Sequence, residues 1–407
     1  MSRPCRLCGS EYMPTVVDLG DLAFTGTFPA NPFMRVESGR LALALCPSCG
    51  LAQLAEDFDL TLLYGDGYGY RSGLNAGMVR HLCRTAMRLD QMQPVNGATV
   101  LDIGSNDGTL LGFLQKCGAD AIGIDPTSAK WAEHIPDGVL SVERFFDAEA
   151  YWAVSDRPAR LVTSIAMFYD LPDPVGFARD VYDVLEPEGL WHLEVAYMPT
   201  MLKTGAYDTI CHEHVEYYSL TTLERILRAA RFKIISATTN GTNGGSIAVT
   251  AAKQGSKWTA DTTFVPWLLA SERRDGVATV ARWREFAATV KRRQHDLLGL
   301  LSALKVQHGA TIKGLGASTK GNVLLQTTGV GTMLLDAIGD VNPDKHGHVT
   351  PGTHIPIVPE DDVLDADYLL VLPWHFRTGL VSALKDTYLS KGGRMIFPLP
   401  DIEVVGA

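Results

Sequence analysis

The chain has 407 residues, of which 46% are hydrophobic and 20% charged, the balance of a folded protein with two or three domains rather than of a disordered chain. Its formal net charge of −10 argues against a long polyanionic partner such as nucleic acid, which selects a basic footprint, but leaves small anionic ligands open. The apolar runs, such as Tyr368 to Leu372, end well before a membrane-spanning length, and the opening MetSerArgProCysArgLeuCys has no apolar leader. No membrane association and a cytoplasmic location are therefore expected.

In chain order, the first unit spans residues 1–65 and is too small to bury much core without a staple. Four of the seven cysteines form two CxxC pairs, Cys5 with Cys8 and Cys46 with Cys49. Such pairs supply four thiolates in a tetrahedron around one structural zinc, with no position left for water. A Gly- and Tyr-rich loop follows from Leu63 to Gly73. The pattern then turns helical from Leu74 to Met92, with Met78, Leu82, Met87 and Leu89 expected on one face.

Across 66–255 strands and helices alternate, as in a doubly wound α/β domain. Strands are predicted at Thr99–Ile103, Ala121–Ile124, Leu161–Ile165, Gly189–Glu194, Lys233–Thr238 and Ser246–Ala251, the last two joined as an antiparallel hairpin through the turn at Asn240 to Gly245. Asp102-Ile103-Gly104-Ser105-Asn106-Asp107-Gly108 reads as a strand end, a glycine turn and a helix start. Asp125 closes the next strand about twenty residues on, the spacing of an acceptor for the ribose hydroxyls of an adenosine-containing ligand. This DxGxxxG pattern favours S-adenosylmethionine over a dinucleotide. Phe145 and Phe146, before the third strand, are candidates to flank the adenine.

The densest polar run is Tyr207-Asp208-Thr209-Ile210-Cys211-His212-Glu213-His214-Val215-Glu216-Tyr217-Tyr218-Ser219. If the segment is extended, His212 and His214 share one face and reach one cavity. A histidine there can serve as general base, oriented by a carboxylate. Ser219 or Thr221 is placed to cap the helix through Leu223, Ile226 and Leu227.

Residues 256–407 form a second α/β domain. A long charged helical stretch, Ala260 to Gln307, leads to strands near Thr311–Gly314, Asp336–Ile338, Tyr368–Leu372 and Arg394–Phe397. The loop Gly314-Leu315-Gly316-Ala317-Ser318-Thr319-Lys320-Gly321-Asn322 offers backbone N–H groups and the side chains of Ser318, Thr319, Lys320 and Asn322 to a phosphate, without the spacing of an ATP-hydrolysing loop.

Together these motifs resemble one family, the zinc-containing S-adenosylmethionine-dependent C-methyltransferases of nucleotide-linked 4-keto-deoxyhexoses. The likeness covers nearly the whole chain. Besides the motifs above it rests on Tyr68-Gly69-Tyr70-Arg71-Ser72-Gly73-Leu74-Asn75, Pro351-Gly352-Thr353-His354-Ile355-Pro356 and Pro373-Trp374-His375-Phe376-Arg377. The resemblance implies a class I (Rossmann-like) methyltransferase domain that holds the donor through Asp102, Gly104, Ser105, Asn106, Asp107, Asp125 and Phe146. It also implies a C-terminal domain that holds a thymidine- or guanosine-diphosphate keto-sugar with Asn243, Ser318, Thr319, Lys320, Asn322 and His375. His212, Glu213 and His214 become the catalytic group, with His214 as base, and Tyr68 or Tyr70 as donors to the substrate oxygen. The expected reaction is methylation at C3 through an enolate. O- or N-methylation of another small molecule is the alternative within methyltransferases, and a zinc-ribbon RNA methyltransferase outside it. The chain departs from the pattern at Cys211, where many members carry Tyr, and at Met167-Phe168-Tyr169-Asp170, where many carry Ala-His.

Overall fold

The computed structural model describes residues 3–59, 63 and 70–406, which build three sheets. The first is antiparallel: β1 (Thr15–Ala23), β2 (Ser38–Leu45) and β3 (Ala52–Leu54), extended by β9 (Glu216–Tyr217) in the order β1-β2-β3-β9. Ala52 pairs with Tyr217 and Gln53 with Glu216, so two residues from the middle of the chain complete the N-terminal sheet.

The second unit opens with α1 (Ala76–Met92), whose N-terminus is capped by the Asn75 side chain accepting from Gly77 and Met78 N–H. Its buried face carries Met78, Leu82, Ala86 and Leu89. Met87, expected on that face, is 55% exposed, because five residues beyond Leu82 rotate it about 140° away. Then follow β4 (Thr99–Ile103), α2 (Thr109–Lys116), β5 (Asp120–Ile124), β6 (Leu140–Val142), α3 (Ala148–Trp152), β7 (Ala159–Ile165), α4 (Pro174–Val184), β8 (Leu185–Ala196), α5 (Met198–Thr204), α6 (Leu220–Ala229), β10 (Phe232–Asn240) and β11 (Ser246–Lys253). The seven strands lie in the order β10-β11-β8-β7-β4-β5-β6. β4 to β8 are parallel, and β10 and β11 form the expected antiparallel hairpin. All five residues of β4 are buried, as a central strand covered on both faces requires. Ser219 caps α6 in a capping box closed by Thr222.

The stretch expected as one long helix is two, α7 (Phe264–Arg274) and α8 (Val280–Ser302). Gly276, at φ 62°, breaks the run and Thr279 restarts it by capping Arg282 N–H. The third unit comprises β12 (Ile312–Leu315), α9 (Thr319–Thr328), β13 (Ile338–Asp340), β14 (Ile357–Pro359), β15 (Tyr368–Val371), α10 (Arg377–Ala383), β16 (Arg394–Phe397) and β17 (Glu403–Val405). β13 sits two residues later than the strand expected at Asp336–Ile338, since Ile338 and Gly339 are the residues that pair with β12. The order β14-β13-β12-β15-β16-β17 repeats the β6-β5-β4-β7-β8 arrangement of the central sheet. No helix among the described residues is long and apolar enough to cross a membrane.

Candidate functional site: a metal knuckle, a strand-end cleft and a small polar pocket

The ligand atoms of Cys5, Cys8, Cys46 and Cys49 all lie within 4.8 Å of one another. Cys5 Sγ is 3.4 Å from Cys49 Sγ, and Cys8 Sγ 3.5 Å from Cys46 Sγ. A tetrahedron of Zn–S bonds near 2.3 Å requires S···S distances of about 3.8 Å, so the set fits structural zinc. Each CxxC is followed by a glycine with positive φ, Gly9 at 71° and Gly50 at 85°, whose N–H closes a turn on the first cysteine's carbonyl. That repeated CxxCG was readable in the sequence and strengthens the assignment.

The C-terminal ends of β4, β5 and β7 open into a cavity of about 440 Å³. Gly104, Ser105 and Asn106 line it after β4, Asp125 after β5, Phe145 and Phe146 after β6, and Ala166, Met167 and Asp170 after β7. Gly104 has φ 72°, and a Cβ there would meet Met167 Cγ at 2.9 Å, so glycine alone keeps the turn open. Asp125 accepts from Asn106 N–H at 2.9 Å through one oxygen and from Thr127 N–H and Oγ1, both at 2.6 Å, through the other. The carboxylate is thus aimed before any diol arrives. Asp102 lines the same cavity. Burial pushes its carboxyl up to about 7, against the bond donated by Thr163 Oγ1 at 2.6 Å. The Phe146 ring packs edge-on against Phe177. Ala166 holds φ 56°, a strained conformation for a non-glycine residue, at the edge of this cleft.

Two expectations change here. Asp107 is absent from the cavity wall: its carboxylate accepts from Thr109 N–H at 3.2 Å and from Gly73 N–H at 2.8 Å. It therefore pins the 70–75 segment to the head of α2. Tyr70 lines the donor cleft rather than the pocket of His214, and its carbonyl accepts from Asn106 Nδ2. Tyr68 lies outside the described residues.

We expect Asp125→Ala to weaken binding of S-adenosylmethionine about 10- to 100-fold, the loss of two charge-assisted hydrogen bonds, and also to lower the melting temperature, since the Asn106 and Thr127 donors lose their acceptor. Isothermal titration checks it, and unchanged affinity would remove Asp125 from the cleft's ligand set.

The other pocket is small, about 20 Å³, room for about one water. Tyr169, Thr209, His214, Tyr217, Asn243 and Lys320 are among its walls. It adjoins the donor cleft through one turn, since Met167 and Asp170 face the cleft and Tyr169 faces the pocket. His214 Nδ1 donates to the Thr209 carbonyl at 2.9 Å, which fixes the tautomer and leaves Nε2 as the acceptor. Burial, with Lys320 adding to it, draws the His214 imidazole down to about 3, so it is neutral across the physiological range. Its ring lies 4.2 Å from that of Tyr169.

His212 and His214 do not share this cavity. A turn, with His214 N–H donating to the Cys211 carbonyl, replaces the extended conformation that residue alternation assumed. His212 instead packs between Phe24 and Phe58, at ring distances of 4.9 and 4.8 Å, and bonds the Gly39 carbonyl at 3.2 Å. Glu213 also points away from the pocket, toward Thr25 and Gly26, where Thr25 Oγ1 donates to it at 3.5 Å and burial raises its carboxyl.

The C-terminal loop divides in the same way. Ser318 caps α9 by accepting from Gly321 N–H, and Asn322 Nδ2 donates to the Thr25 carbonyl at 2.7 Å, which ties the third unit to the first. Thr319 Oγ1 lies beside Gly26 and Glu213. Lys320 reaches the acceptor pocket, where Nζ donates to the Asn243 carbonyl at 2.7 Å. Asn243, at φ 54°, forms the tip of the β10–β11 hairpin, and neighbouring Gly244 abuts Trp374. Trp374 Nε1 in turn donates to Asp208 at 2.7 Å. His375 packs against Phe376 at 4.3 Å and does not line the pocket. Sequence reasoning gave no role to Thr209, Tyr217 or Tyr169; the first two lay inside the polar run already singled out, where a short turn and a two-residue strand give no periodicity.

Three family profiles match nearly end to end: "Putative zinc binding domain" over 5–64, "Methyltransferase domain" over 76–237 and "C-methyltransferase C-terminal domain" over 241–400. The chain is 29% identical over 413 residues, 99% of this chain and 97% of the relative, to the C-methyltransferase NovU of Streptomyces niveus. Among solved structures, the magnesium protoporphyrin IX methyltransferase ChlM of Synechocystis PCC 6803 with bound SAM matches at 14% identity, 48% of this chain, 89% of that one and a TM-score of 0.34. The plantazolicin methyltransferase BpumL with SAH matches at 12% identity, 43% of this chain, 84% of that one and a TM-score of 0.35. Superpositions at those scores carry no argument beyond the profiles.

Proposed function

Because this chain belongs to the zinc-containing, S-adenosylmethionine-dependent C-methyltransferases, we propose that it methylates a carbon next to the ketone of a nucleotide-linked 4-keto-hexose, at C3. The observation that supports this reading is the neutral His214, its Nδ1 committed to Thr209 and its Nε2 left as a base in a pocket one turn away from the donor cleft.

His214 Nε2 takes the proton from the carbon α to the ketone, and the electron pair of that C–H bond passes into an enolate. S-adenosylmethionine, when bound, would supply the electrophilic methyl group: the enolate carbon forms the new C–C bond as the S–C bond breaks, and the electron pair of that bond stays on sulfur. The backbone turn at Gly104 and the carboxylate of Asp125 hold the donor, and the turn through Tyr169 separates donor cleft from acceptor pocket. After transfer, His214 carries the proton and returns it to solvent when the pocket opens.

The test is mass spectrometry on incubations with S-adenosylmethionine and thymidine- and guanosine-linked 4-keto-hexoses in deuterated water. A carbon-bound methyl on one sugar, with loss of its α-hydrogen, is the expected result. Methyl gain on oxygen or nitrogen, or none on any sugar, would overturn the reading.

A further inference from the structure

Lys320 is a long cation from the third unit whose ammonium ends in the acceptor pocket of the second. Its hydrogen bond goes to a carbonyl, that of Asn243 at 2.7 Å, and not to a carboxylate. Burying an ammonium without an ion-pair partner is costly, so a fold that does so has a use for the charge or its protons. Three N–H bonds radiate from the group and one is spent. Two more residues of its wall, Thr209 and Tyr217, carry hydroxyls that are buried without a hydrogen-bond partner. The cavity they enclose with His214 has room for about one water. A single small oxygen is the ligand such a set of donors suits.

We propose that Lys320, with the Tyr217 hydroxyl, is the oxyanion site of the methyl transfer: it receives the ketone oxygen of the acceptor and stabilises the negative charge that grows there as His214 removes the proton. This rests on the function proposed above and assigns Lys320 to the reacting centre instead of to a phosphate. No bond to Lys320 forms or breaks; the proton passes from carbon to His214 Nε2, and the charge left on oxygen is met by N–H and O–H donors. The oxygen enters by drawing Lys320 from the Asn243 carbonyl, which also loosens the hairpin tip that closes the pocket over Gly244 and Trp374. Asp208, fully buried nearby, favours the charged form of the lysine against the effect of burial. A phosphate-binding role has less support, because Asn322 Nδ2, a neighbouring donor of the same loop, is already committed to the Thr25 carbonyl.

The experiment compares the full-length wild type with Lys320→Met, Lys320→Gln and Lys320→Arg. Gln keeps an N–H for the Asn243 carbonyl but no charge, and titration with S-adenosylmethionine verifies that each variant is folded. Two rates are followed with a keto-sugar that the wild type methylates: methyl transfer, and exchange of the α-hydrogen in deuterated water with S-adenosylhomocysteine bound. We expect Met and Gln to lose 10²- to 10³-fold in kcat and a similar factor in exchange, with donor affinity within about threefold of wild type. Removing the charge also raises the His214 pKa, because Lys320 is one of the two influences holding it down. The base is active only when deprotonated, so the acid limb of the kcat profile moves to higher pH in Met and Gln but stays in place in Arg. That shift reads the lysine's charge beside the base, whereas the parallel fall in kcat and in exchange, with KM held, reads its action on the oxygen. Variants with kcat within threefold of wild type and a raised KM would overturn the assignment alone, placing Lys320 in ground-state binding. A wild type that neither exchanges nor methylates carbon on any keto-sugar would remove the proposed function and the oxyanion site with it.

Discussion

His214→Asn is expected to lower methyl transfer at least about 10³-fold while S-adenosylmethionine binds within about threefold of wild type. The asparagine amide can still donate to the Thr209 carbonyl, which Nδ1 reaches at 2.9 Å in the parent, so the turn at 211–214 persists. What disappears is Nε2, the nitrogen left free to accept a proton. The donor cleft is built from different loops, those after β4, β5, β6 and β7, and His214 is not on its wall. Steady-state methylation and donor titration on the same preparation separate the two. A variant that loses donor binding in step with turnover would make His214 a structural residue; one that retains turnover would remove it as the base.

Removing the zinc, by chelation or by Cys46→Ser, is expected to unfold the N-terminal sheet and abolish methyl transfer, with donor binding retained. A structural Cys₄ site contributes on the order of 10 kcal/mol to the fold that contains it. Cys46 follows β2 directly, and the knuckle returns the chain into β3, which pairs with Tyr217 and Glu216. Leu54 N–H donates to the Val215 carbonyl at 2.9 Å, and Arg6 reaches the same carbonyl at 3.3 Å. The metal therefore braces the segment carrying His214 from behind, at a distance from the chemistry. Zinc content, thermal melting and methylation measured together check this; full activity in metal-free protein would show that the sheet stands without the ion.

Much of this was legible locally. A thiolate pair within one turn binds metal whatever surrounds it, and the two CxxC units named their ligands before any fold was considered. The donor cleft was nearly as legible, because a glycine turn after a buried strand and an acid at the end of the next are short-range consequences of one βα unit. Asp107 is the exception. It lies among those residues in sequence, but the head of α2 turns its carboxylate outward to Gly73 and Thr109.

The acceptor pocket was not legible in that way. Its motif pointed to the right segment, yet the alternation that put His212 and His214 together presumed a strand, and a turn closed by His214 N–H and the Cys211 carbonyl separates them. The C-terminal loop shows a related effect: two of its side chains meet partners distant in sequence, Asn322 the Thr25 carbonyl and Lys320 the Asn243 carbonyl. The sequence by itself determined the metal ligands, the donor turn and the alternation of strands and helices, because each depends on neighbours a few residues apart. Only the tertiary structure decided which of the polar residues meet. The pocket is assembled by packing three sheets against one another, and a side chain's final partner there depends on long-range contacts that no local spacing encodes.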